Sequence, residues 1–162
     1  MKNILASLSL LLAACGQAVP RDVVTVRAYT DSRGDPTPHA DSLGFTYLSD
    51  GDGAKFAAPG WNCLINPVLT NDPDDDRLTR VVLHELANVI ILDTGVVPPY
   101  GPGWFAFDSD TIPPFTDIGP DEAAWFAAHG PYRVNVTDDW LRQPVAEALL
   151  RITLAAGREV FR

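Results

Sequence analysis

"VVLHELANVIILD", residues 81–93, is the stretch on which the fold turns. In the wider segment "NDPDDDRLTRVVLHELANVIILDTG" (71–95), Leu78, Val82, Leu86 and Val89 fall three or four residues apart, and Asp93 continues the line. That spacing places one side chain per turn on a single helical face. Asn71 or Asp72 can cap the start and Pro73 suits a first turn, with Asp74, Asp75 and Asp76 near the positive end of the helix dipole. Gly95 offers a left-handed stop. The β-branched run Val89-Ile90-Ile91 weakens the last turn, because such residues lose side-chain freedom in a helix.

Strands precede this helix. "DVVTVRAY" (22–29) and "GFTYLS" (44–49) are rich in β-branched and aromatic residues, and the turn formers "DGDG" (50–53) end the second. "NCLINPVL" (62–69) reads as a third strand, which Pro67 confines to an edge or a strand end. "DSRGDPTPHADS" (31–42) and the proline-rich stretch 96–117 read as loops. Two further helices are expected. One is "GPDEAAWFAAHG" (119–130), with Pro120 at its start and Asp121 and Glu122 in its first turn. The other is "PVAEALLRITLAAG" (144–157), where Val145, Leu149, Ile152 and Ala156 share a face. The expected class is α+β: a small mixed sheet with the 71–95 helix against it and helices toward the C-terminus.

The chain has 162 residues, 46% of them hydrophobic and 20% charged, enough for one domain with a core. A net charge of −9 argues against a nucleic-acid backbone or an anionic lipid surface as partner, since either would repel it. The start, "MKNILASLSLLLAAC", is a targeting segment: Lys2, then an apolar run from Ile4 to Leu12, then small residues. The run is too short to span a bilayer as a permanent helix. Its ending, "LAAC" (12–15), resembles the lipobox of bacterial lipoproteins, which implies a leader of residues 1–15 and lipidation of Cys15. A single exported domain, 16–162, would then be anchored to the cell envelope. Gly16 after the cysteine implies the periplasmic face of the outer membrane. With Cys15 acylated, Cys63 is the one remaining thiol and reads as a small buried hydrophobe.

The chemistry worth testing centres on His84 and Glu85. Zinc hydrolysis needs three protein ligands, an open position for water, and a carboxylate to take the water's proton. On a helix, a histidine four residues after the first can clamp the same ion, with a glutamate beside the first as base. Here that second position is Asn88. Three Asp-rich stretches, "SDGDG" (49–53), "DPDDD" (72–76) and "DSD" (108–110), offer hard oxygens for calcium, though none has EF-hand spacing.

With its flanks, "VVLHELANVIILDTGVVP" resembles the active helix of the metzincins, and of their matrixin branch in particular. That pattern runs His-Glu-x-x-His-x-x-Gly-x-x-His, usually with Leu-Asp before the third histidine. His84, Glu85, Leu92 and Asp93 match in register. Asn88 replaces the second histidine, Ile91 the glycine and Thr94 the third histidine, and "GVVPPY" (95–100) stands where the methionine turn belongs, without a methionine. "LGFTYLS" and "CLINP" resemble the strands before that helix, and "DIGPDEAAWF" the helix that closes such domains. The resemblance covers roughly residues 21–130, leaving 144–157 as an extra helix; the family's long first helix has no obvious counterpart between the first two strands.

The resemblance implies zinc endopeptidase chemistry, with Glu85 as base and His84 as one ligand. Asn and Thr are poor zinc ligands beside imidazole, and without the glycine the helix should run on to Thr94. His39 or His129 with Asp93, Asp108 or Asp110 are candidates to complete a substituted metal centre. The expectation is an exported lipoprotein whose site has degenerated and which holds a peptide or protein along the edge strand at 62–69. The alternatives are an active endopeptidase with a divergent metal site and a lipid-anchored structural domain.

Overall fold

The alternation of side chains along the first strand decides its place in the sheet. In β1 (Val23–Ala28), Val24, Val26 and Ala28 point to one face, Thr25 and Arg27 to the other, and all five are buried. A strand buried on both faces belongs in the interior of a sheet. The chain is described here by a computed structural model covering residues 18–29, 42–51, 58–74, 76–99 and 118–162. Cys15, His39, Asp108 and Asp110 lie outside these residues.

The sheet is mixed, in the order β2-β3-β1-β4. β2 (Gly44–Ser49) runs antiparallel to β3 (Gly60–Ile65), with Gly44 opposite Ile65 and Ser49 opposite Gly60. β1 pairs parallel with β3, Val24 opposite Trp61, and on its other side with β4 (Arg133–Val136), Val24 opposite Val134. The third strand is therefore not an edge: β3 lies between β2 and β1, and every one of its residues is buried. Pro67 falls just after it and opens a 3-10 turn, Pro67–Asn71. Proline has no N–H to give the ladder, so the strand ends before it and is free to be central up to that point.

α1 (Arg77–Thr94) buries Val82, Leu86 and Val89 against the sheet, as their spacing predicts. Its start differs from expectation. Ahead of the helix, aspartate side chains cap nearby backbone, Asp74 N–H donating to Asp72 Oδ1 (2.8 Å) and Asp76 N–H to Asp74 Oδ1 (3.0 Å). Short acidic side chains that bond nearby backbone compete with helix. The helix runs on to Thr94, as the loss of the glycine predicts, and stops where Gly95 takes φ 73° and its N–H reaches Ile91 O (2.8 Å). Val89 and Ile90 are fully buried, and that burial outweighs their weak helix propensity.

α2 (Pro120–Ala127) appears where expected, with the Glu122 carboxylate accepting from Gly119 N–H (3.0 Å). α3 spans Asp139–Ala156, so it begins before Pro144 and carries that proline inside. One lost hydrogen bond near its start is outweighed by the burial of Leu141 in the added turn. The Asp138 carboxylate ahead of it accepts the Ala28 N–H (2.8 Å), fixing the helix to the end of β1. α1 and α3 cover the same face of the sheet and share one core, which includes Val26, Cys63, Leu86, Val89, Leu141, Ile152 and Phe161. Among the described residues no helix is long and apolar enough to cross a membrane.

Candidate functional site

Because α1 crosses the sheet with its buried face toward β2 and β3, Glu85 is carried inward, and it is only 3% exposed. The Thr46 hydroxyl of β2 donates to Glu85 Oε2 and lies 3.2 Å from the Glu85 main-chain oxygen. Asn88, one turn along, donates its amide to the same Oε2 at 3.4 Å. Gly44 completes the enclosure by having no side chain: a Cβ there would stand 2.5 Å from Oε1 and 2.8 Å from the Glu85 Cγ. Cys63 lies beside this group, its Sγ 3.7 Å from the Thr46 hydroxyl.

The electrostatics follow from the enclosure. Burial pushes the Glu85 carboxyl up to about 7, against the hydrogen bonds from Thr46 and Asn88, which favour the charged form. Burial, and after it the charge of Glu85, drives the Cys63 thiol far above its ordinary range. Thiolate is the reactive form, so Cys63 is an inert core residue, in keeping with its sequence reading.

The three positions that correspond to the pattern's metal ligands, His84, Asn88 and Thr94, do not converge. His84 is half-buried, next to Glu85 in sequence but on the neighbouring side of the helix. Asn88 is turned to Glu85. Thr94 is exposed at the end of an unbroken helix, about 15 Å along the axis from His84. Its hydroxyl donates to Ile90 O (2.7 Å) and accepts from Val96 N–H (3.1 Å). The substituted centre finds no support from Asp93 or His129 either. Asp93 accepts from Arg21 Nε (2.7 Å) and from the Tyr132 hydroxyl (2.8 Å), while His129 bonds Trp125 O through Nδ1 (2.7 Å). Both line a shallow, open pocket of about 350 Å³ at the far end of α1, together with Arg21, Asp22, Thr94 and Tyr132.

Among the described residues no three His, Cys, Asp or Glu side chains stand close enough to share a metal ion. The donors seen here do not fit a zinc ion at His84, because the amide and hydroxyl in the family's ligand positions are committed elsewhere. Calcium at "DPDDD" fits no better. Asp72 pairs with Arg77 (3.1 Å), Asp74 with Arg80, and Asp76 with Arg151 and Arg80. A hydrogen bond from Arg80 holds Asp74 below the usual carboxylate range, and one from Arg151 does the same for Asp76. These carboxylates serve ion pairs.

Gly44 and Thr46 are the site residues that the sequence reading missed. Nothing near them in the chain signals a partner, since Thr46 and Glu85 are 39 residues apart. The glycine that opens "GFTYLS" was the available hint, as glycine at a strand position often marks a close approach. Gly44→Ala is expected to cost about 2 kcal/mol, because the methyl group must displace a carboxylate already held by two partners. In a Glu85→Ala background the same change should cost at least about 1 kcal/mol less. Urea denaturation of the two single variants and the double variant reads the coupling; strict additivity would sink the close approach.

In comparison with known proteins, the chain matches no family model, no curated protein and no solved structure.

Proposed function

We propose that this chain is an exported, lipid-anchored binding domain of matrixin-like fold in which the catalytic use of the helix has been given up. The observation that carries this reading is the state of Glu85. Its carboxyl is closed in by Thr46, Gly44 and Asn88, whereas a general base must reach the proton it abstracts. The residue in the second ligand position now anchors the former base, and the two together tie α1 to β2. The likeness to matrixins gains support from the order of parts: an antiparallel strand, then the strand beside it, then the helix bearing His84 and Glu85. Between β1 and β2 the described residues hold no long helix; in this reading α3, which follows a strand parallel to β1, is an addition at the end of the chain.

The binding surface in this reading is the outer edge of β2, not the 62–69 segment. Among the described residues β2 has a strand on one side only. Leu43 O accepts from Asn66 N–H, so by antiparallel alternation Gly44, Thr46 and Leu48 turn their backbone N–H and C=O groups outward. An extended peptide can add there as a further strand. Cys15 as lipid attachment and the periplasmic face of the outer membrane as location are part of the same proposal, and rest on "LAAC" and Gly16.

The test is zinc content and turnover together. Protein purified without chelator is expected to carry far less than one zinc per chain, unchanged in His84→Ala, and to show no peptide hydrolysis that Glu85→Gln abolishes. About one zinc per chain, lost in His84→Ala, would overturn the reading in favour of a divergent endopeptidase.

A further inference from the structure

The sheet has two outer strands, and they are finished differently. β4 is guarded. It has four residues, its Arg133 and Asn135 are exposed, and the last residues of the chain lie along its outer side. Tyr132 N–H donates to Val160 O (2.8 Å), Arg162 N–H to Tyr132 O (3.0 Å) and Val134 N–H to Arg162 O (2.7 Å). Short length, charge and a covering segment are the usual means of keeping an edge from pairing with another chain.

Among the described residues β2 has none of these. It is six residues long, "GFTYLS", with no charged side chain and no proline. Its register with β3 is unbroken from Gly44 to Ser49, so no bulge turns the edge away. The backbone groups of Gly44, Thr46 and Leu48 face outward. The strand is held from both faces: Thr46 donates to Glu85 on one, and the Tyr47 oxygen accepts from the buried Arg27 (3.0 Å) on the other. A strand fixed in this way loses little freedom when it pairs.

The side chains of β2 match those of β2 itself. If a second β2 runs antiparallel to the first about a two-fold axis at Thr46, Gly44 stands opposite Leu48 of the copy and Thr46 opposite Thr46. These are hydrogen-bonded pairs, giving about six bonds between the chains. Phe45 of each chain then faces Tyr47 of the other in the close, non-hydrogen-bonded position. Within one chain these two rings already stack, 5.9 Å between centroids and 17° between planes, and pairing extends the stack from two rings to four. On the helix side, Leu48 of each chain comes beside Gly44 of the other, the position that the Glu85 carboxyl keeps free of a side chain. One patch serving both subunits is what an isologous dimer requires.

We propose that the outer edge of β2 pairs antiparallel with the same edge of a second copy of this chain, joining two four-stranded sheets into one. The proposal rests on the reading of this edge as the binding surface of the domain, and names its partner. With one strand from each side the contact is small, so the dimer is a transient one. The net charge of −9 on each copy opposes approach, so salt tightens the pair, whereas it would loosen a contact with a basic peptide.

The test is sedimentation equilibrium of the full chain in density-matched detergent, from about 10 μM to about 1 mM, the range in which small interfaces associate. Amide hydrogen exchange is read on the same samples. The mass is expected to rise from one chain toward two, at lower concentration in high salt, while the N–H groups of Gly44, Thr46 and Leu48 slow several-fold. Leu48→Pro removes an outward N–H without touching the β3 ladder, and should remain a single chain with an unchanged circular dichroism spectrum. Should that variant fail to fold, the unsubstituted chain decides. A single chain throughout, a dimer whose three edge amides exchange as fast as in the monomer, or a folded Leu48→Pro that still pairs would overturn the proposal. The binding reading stands or falls separately, on zinc held through His84, whatever the mass.

Discussion

The protein is expected to lose about 3 kcal/mol of stability as pH rises from 4.5 to above 7, and Glu85→Gln is expected to lack that loss. The Glu85 carboxyl is pushed from an ordinary value of 4.5 to about 7 in the fold, chiefly by burial. In that window the folded chain holds a proton that the unfolded chain has released. Stability therefore falls with pH across it, is fully present below the unfolded value, and flattens above the folded one. The gap between 4.5 and about 7 corresponds to about 3 kcal/mol. Glutamine keeps the shape and the acceptor for Thr46 but does not titrate. Other groups change protonation between pH 4 and 8, yet they are common to both proteins, so the difference between the two stability curves isolates Glu85. Urea midpoints at a series of pH values measure it. Parallel curves would mean that water or a cation reaches the carboxylate, which would restore the case for a working site.

Gly60→Ala is expected to cost about 3 kcal/mol of stability. Gly60 opens β3 with φ 108°, a conformation that residues with a Cβ rarely adopt. A Cβ there would stand 2.7 Å from Val23 O and 2.9 Å from Pro20 O, both main-chain atoms that cannot rotate aside. Backbone strain alone accounts for about 1–3 kcal/mol, and the clash pushes β3 away from β1 where their pairing begins. Gly95→Ala is the control, because Gly95 also has positive φ (73°) but nothing within 4 Å of its added methyl. It should cost about 1 kcal/mol. Denaturation midpoints of the two variants separate dihedral strain from crowding; equal losses would show that the close approach at β3 is not a constraint.

Where local pattern and tertiary context agreed, the sequence was readable. Leu78, Val82, Leu86 and Val89 announced α1, Gly95 its end, and "GFTYLS" coincides with β2. What was hidden depended on distance along the chain or on context. β4 has only four residues, with Arg133 and Asn135 on its outer face, so it offers too little apolar alternation to notice. Pro144 read as a beginning because proline suits a first turn, but here the apolar contact of Leu141 carries the helix back past it. The edge was misplaced for a similar reason: Pro67 marks where β3 stops, which says nothing about which strands flank it. For the site, His84 and Glu85 were visible as a pair, while the cradle of Gly44 and Thr46 that determines what Glu85 can do was not. A side chain's role there is set by who stands opposite, and opposition across a sheet leaves no local trace.

The position of β1 bears on how the protein comes to exist at all. This strand is made first and sits second from one side, yet its last amide is bonded to a carboxylate 110 residues further on, and β4 beside it belongs to the final third of the chain. Parallel pairings between such distant segments close large loops before any contact is gained, and domains built on them fold slowly. A nascent chain of this kind can pair β1, β2 and β3 early but cannot close the sheet with β4 until nearly all of it has been synthesised.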